Sequence, residues 1–148
     1  EKYMTVHLIK LSVGVENVRH LEQIQQHRLN DAERRGETPE LMHVTRNTPR
    51  RAAEILENGS IYWVIKRFIR ARQVIADIRP VDNKEGRPAC ALVLEPGLIR
   101  TEIRSFRAFQ GWRYLPVEDA PADAPENQAD GTEVPAEMAA ELKGLGLL

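Results

Sequence analysis

Residues 59–73 hold the densest set of side chains able to do chemistry: Tyr62, Trp63, Lys66, Arg67, Arg70, Arg72 and Gln73. Arginine's planar fork grips a phosphate with two hydrogen bonds and stacks on bases, whereas lysine acts as a point charge. An indole face takes an unstacked base, a contact worth about 1–3 kcal/mol. Glutamine can read an adenine edge and arginine a guanine edge, each with two bonds. A second cluster, Arg46, Asn47, Arg50 and Arg51, surrounds a predicted helix start. Free amides there plus arginine favour an anion; the plainer alternative is a capped helix with solvated arginines. A third block, residues 109–115, contains Trp112 and Arg113. Phosphate contacts are expected from Arg46, Lys66, Arg67, Arg70 and Arg72, and stacking from Trp63 and Trp112. Period two leaves another outcome open. It puts Ile61, Trp63 and Ile65 on one strand face, so Trp63 can equally be core.

Other chemistry is thinly represented. No phosphate-binding glycine loop, dinucleotide fingerprint, zinc-protease or nucleophile-elbow motif occurs. His20 and His27 stand too far apart on one helix to share a metal, and His7 and His43 lie inside predicted strands. Cys90, the single cysteine, sits in an apolar run and reads as a small buried residue. A lone cysteine forms no intrachain disulfide, which fits a reducing compartment. No catalytic residue, metal or cofactor is expected.

Charge is segregated. The formal net charge is −1, but residues 41–116 carry 14 Lys/Arg against 7 Asp/Glu, and residues 117–148 carry one Lys against 8 acids. Of those 14 cations 12 are arginine, and seven of the chain's eight aromatics lie between Tyr62 and Tyr114. Arginine interleaved with aromatics suits a reader of single strands or extruded bases. A solvated ion ladder, such as Arg100, Glu102 and Arg104 alternating along one strand, is the competing explanation.

These groups need a scaffold. Residues 4–11 read as a strand, 16–35 as an amphipathic helix closed by Gly36, 41–46 as a short strand, and 50–57 as a second helix. Strands follow near 61–66, 73–81, 89–94, 98–106 and 112–115, separated by turn-forming residues. The expected fold is α+β. It is a small curved mixed or antiparallel sheet with two packed helices, in a single domain over residues 4–116. Residues 117–148 read as a disordered acidic Pro/Ala-rich tail with a short C-terminal helix near 135–143. No apolar run is long enough to span a membrane, and a soluble cytoplasmic protein is expected.

Five blocks together resemble a bacterial family, the domain of unknown function numbered 1489. They are Val6-His-Leu-Ile-Lys-Leu11, His43-Val-Thr-Arg-Asn-Thr-Pro49, Gly59-Ser-Ile-Tyr-Trp-Val-Ile-Lys66, Arg72-Gln73 and Phe109-Gln-Gly-Trp-Arg-Tyr-Leu115. That resemblance brings no activity with it. The element order is also similar to PUA-like domains, including the EVE and ASCH groups. Tyr62-Trp-Val-Ile-Lys66 resembles the Tyr-Trp-Leu-x-Lys opening of EVE domains, although here two strands precede it. Arg70-Ala-Arg-Gln73 resembles their Arg-x-x-x-Ala-Arg element. The PUA-like resemblance implies a pseudobarrel that binds RNA or modified bases. Trp63 and Trp112 would be pocket walls, and Arg70, Arg72 and Gln73 polar readers.

The functional expectation is a non-catalytic binding module for RNA, DNA or a modified nucleotide. The alternatives are a protein-interaction domain docking, as a homo-oligomer or otherwise, through residues 142–148 or its edge strands, and a small-molecule enzyme with an unrecognised site.

Overall fold

A computed structural model describes residues 4–107 and 109–125. The expected C-terminal helix and most of the acidic tail lie outside these residues. The described chain is α+β, a seven-stranded open mixed sheet with two α-helices. Strands β1 (Val6–Leu11), β2 (Leu41–Thr45), β3 (Ser60–Ile65), β4 (Phe68–Asp82), β5 (Pro88–Leu94), β6 (Ile99–Ser105) and β7 (Trp112–Pro116) form the sheet. The path runs β2-β5-β4-β3-β1-β7, and β6 pairs with β4. Only β1 and β3 run parallel; the other pairs are antiparallel.

Helix α1 (Val18–Arg34) buries Val18, Leu21, Gln25 and Ala32, a spacing of three, four and seven that keeps them on one face. Asn17 caps it, its side chain accepting the His20 N–H at 2.8 Å. The expected start was Glu16. That residue instead precedes the cap and forms an ion pair with Lys66. Helix α2 (Ala52–Ile55) is a single turn of four residues and lacks a side-chain cap. The predicted helix over 50–57 is therefore shorter, and Asn47 stands in the preceding loop. Asn58 takes the left-handed conformation that ends it, at φ 65°. Gly59 then passes so close to β1 that an added Cβ would lie 2.6 Å from the Val6 carbonyl oxygen.

Strand β4 organises the sheet. Its first half pairs with β3 and β6, and its second half with β5. The register shifts between Ile69 and Ala71 and again between Ile75 and Asp77. Such bulges bend a strand and increase its twist. One core consequently gathers Leu8 from β1, Leu41 from β2, Trp63 from β3, Ile75 from β4 and Leu92 from β5, with Leu21 of α1 and Ile55 of α2. A smaller cluster (Ile9, Tyr62, Val64, Ile69 and Leu115) packs on the opposite face under Phe106 and Phe109.

Two differences from the sequence reading bear on function. Strand β4 begins at Phe68, five residues before the predicted start, because Lys66 and Arg67 make a two-residue hairpin. Both have positive φ, 49° and 74°, a conformation costly for side chains other than Asn or Gly. Residues 117–125, assigned to the tail from composition, lie against the sheet. Glu102 N–H donates to Ala122 O, Ala124 N–H donates to Arg100 O, and Asp123 bridges to Thr101.

Candidate anion-binding cleft

The 59–73 cluster does not converge on one surface, and the alternation of β3 and β4 explains why. Trp63 points inward and is 3% exposed, with its indole N–H donating to Gln73 Oε1 at 3.2 Å. Gln73 is fully buried and saturated. It exchanges two amide hydrogen bonds with Gln25, at 2.8 and 2.9 Å, and donates to Glu95 O at 2.9 Å. These two placements correct the expectation of a stacking wall and a base reader. Truncating a core Trp typically costs about 3–5 kcal/mol, more than the ~1–3 kcal/mol a stacked base returns. The core placement wins.

Arg70 is the extra residue where β4 bulges against β3 and is 7% exposed, which removes it from the expected phosphate surface. Arg72 faces the opposite side from Gln73. Its guanidinium makes a two-pronged pair with Asp123, at 2.8 and 3.0 Å, and donates to Ser60 Oγ at 2.9 Å. That bonding lowers the Asp123 pKa. Lys66 is paired with Glu16, and Arg67 is exposed at the hairpin tip. Arg113 is exposed and lies over the Phe109 ring at 4.5 Å.

Three predicted residues do meet. Arg46, Asn47 and Trp112 line a cleft of about 490 Å³ together with Lys10, Arg50 and Tyr114. The cleft forms where the end of β2 and the loop after it approach β7, which lies at the other end of the sheet path. Trp112 donates its indole N–H to Asn47 O at 3.0 Å, and Arg51 N–H donates to the Tyr114 hydroxyl at 3.1 Å. Trp112 and Tyr114 pack edge to face at 5.0 Å, and Arg51 covers the Tyr114 ring at 5.3 Å. Alternation along β7 puts both rings on the same side as their β1 partners Leu8 and Lys10.

Lys10 was missed in the sequence. Its signal was the single cation in Val6-His-Leu-Ile-Lys-Leu11, in phase with Val6 and Leu8 on the core side. It is paired in register with Trp63 on one side and Trp112 on the other. Burial lowers its ammonium pKa below the usual lysine value. Lys10, Arg46 and Arg50 have no ion pair among the described residues. No described Asp or Glu lines the cleft.

A second cleft of about 200 Å³ adjoins Lys10 from the α1 side, and Arg28, His43 and Trp63 line it. The His43 ring stands edge to face on Trp63 at 5.3 Å. Burial, reinforced by Lys10 and Arg28, holds its pKa down to about 4. His7 is also depressed, by burial and then by Arg72, and its Nδ1 accepts the Ser60 N–H at 3.0 Å. No group of three or more His, Cys, Asp or Glu able to hold a metal ion occurs among the described residues. None of the described helices is long and apolar enough to cross a membrane.

The geometry defines a class: an α+β protein with a basic, aromatic-walled cleft beside an open mixed sheet. The chain belongs to the family described as "Protein of unknown function (DUF1489)", whose family model matches residues 8–148. No curated protein and no solved structure matches it.

Proposed function

We propose that this chain is a non-catalytic nucleic-acid- or modified-nucleotide-binding module, of PUA-like pseudobarrel type, working in the bacterial cytoplasm. One observation carries the reading. Three cations without acidic partners among the described residues, Lys10, Arg46 and Arg50, share a cleft with an indole wall and no described carboxylate. Its volume lies in the range of small-ligand sites, about 300–1,000 Å³. A phosphate would restore counter-charge to the half-buried Lys10 ammonium. Trp112 supplies the stacking face, and Asn47 and Gln110 can bond a base edge. The curl that brings the loop after β2 onto β7 supports the pseudobarrel assignment, and the buried Cys90 thiol suits a reducing compartment.

The test is anisotropy of labelled single-stranded RNA and DNA at about 50 mM salt, where phosphate contacts count most. Binding should weaken steeply as salt rises. Lys10→Met and Arg46→Ala should each flatten the log–log salt slope by about one. Trp112→Ala should weaken binding by about 1–3 kcal/mol. Absence of binding to either nucleic acid at low salt would end this reading.

A further inference from the structure

The two clefts share Lys10 and flank the same edge strand, β2. Val44 and Arg46 border the larger, and Met42 and His43 border the smaller. No described Asp or Glu lines either one. Arg28 in the smaller cleft, like Lys10, has no ion pair among the described residues. Both lie close enough to His43 to act on its charge. A succession of cations therefore runs from the smaller cleft to the larger: Arg28, then the shared Lys10, then Arg46 and Arg50.

One mononucleotide would occupy the larger cleft and leave Arg28 unused. A chain of phosphates would use the whole succession. Successive phosphates in a single strand lie several ångströms apart, as do side chains at alternate positions of an extended strand. We infer that the two clefts are one track for a single-stranded nucleic acid of at least two nucleotides, with Lys10 under the phosphate that joins them. The larger cleft takes the base that stacks on Trp112. The smaller takes the next nucleotide's phosphate at Arg28 and its base or sugar over Met42 and His43. RNA and DNA share this chemistry.

This inference rests on the reading proposed above, and the experiment separates the two. The full chain is titrated with a 5′-mononucleotide and with 5′-phosphorylated single-stranded RNA and DNA of two, four and eight nucleotides at low salt. The same series is run on Arg28→Ala and Arg50→Ala, two exposed positions whose loss should leave the fold intact. Affinity should rise at least tenfold from the mononucleotide to the dinucleotide. Arg28→Ala should remove most of that gain, about tenfold, and leave mononucleotide affinity unchanged. Arg50→Ala should weaken both. Equal loss for RNA and DNA identifies a backbone track, and loss for RNA alone identifies a 2′-hydroxyl contact; either supports it. If Arg50→Ala weakens the oligonucleotides and Arg28→Ala does not, the track is wrong and the single cleft stands. If nothing binds, both fall.

Discussion

His43 is held neutral by its surroundings, and this sets an acid limit on the protein. Its folded pKa of about 4 lies below the ordinary 6.5 because burial, Lys10 and Arg28 all oppose a positive charge. In the unfolded chain the ring takes a proton as pH falls through about 6.5. In the folded chain it does not until about 4. Between those values the unfolded state binds more protons, so stability falls with pH. The loss approaches roughly 3 kcal/mol at the lower end, by the conversion of about 1.4 kcal/mol per pKa unit. Denaturant midpoints measured from pH 7.5 to 4.5 should drop, and His43→Phe should flatten the drop. His7, depressed in the same direction, will leave a residual slope in that variant. An unchanged slope would show that His43 is more hydrated than its packing on Trp63 implies.

At the scale of elements, the Gln25–Gln73 amide pair joins α1 to the centre of the sheet. Buried amides are costly when unpaired, about 1–3 kcal/mol for each group left without a partner. Gln73→Leu would strand the Gln25 amide, the Trp63 indole N–H and the Glu95 carbonyl together. It should cost about 3 kcal/mol or more in urea unfolding. Gln25→Leu added to Gln73→Leu should cost less than Gln25→Leu alone, with a coupling energy of about 1–2 kcal/mol. Additive losses would mean that the pair does not act as a unit. Most elements were visible in the sequence because alternation and helical spacing are local signals: β1, α1, β2, β5, β6 and β7 fall close to their predicted spans. The β3–β4 hairpin was hidden because Lys66 and Arg67 occupy a turn whose usual residues are Asn and Gly. Without that turn, Arg67 to Gln73 looked like one polar cluster. In a strand the same residues go to opposite faces. The candidate cleft was only half legible for a different reason. Asn47 and Trp112 stand 65 positions apart and belong to opposite ends of the sheet path, a meeting that no local pattern announces. Lys10 was hidden in an apolar run.

For the whole molecule, the basic middle and acidic end seen in the sequence meet, among the described residues, in the Arg72–Asp123 pair and in the bond from Arg104 to the Asp119 carbonyl. The same stretch does something apart from charge. Residues 122–124 hydrogen-bond along β6 through Arg100 and Glu102, occupying backbone groups that would otherwise be available to another chain. An uncovered strand edge is a template on which a second copy can add a strand. A chain ending at residue 116 should therefore show a size that grows with concentration in light scattering, compared with one ending at residue 125. Asp123→Asn, which weakens the side-chain pair and leaves the backbone bonds, should behave like the longer chain. If both truncations scatter alike, the β6 edge is protected by some other means. The short segment after β7 thus covers a strand edge against sheet-to-sheet growth, and its removal would turn a folded protein into a seed for its own aggregation.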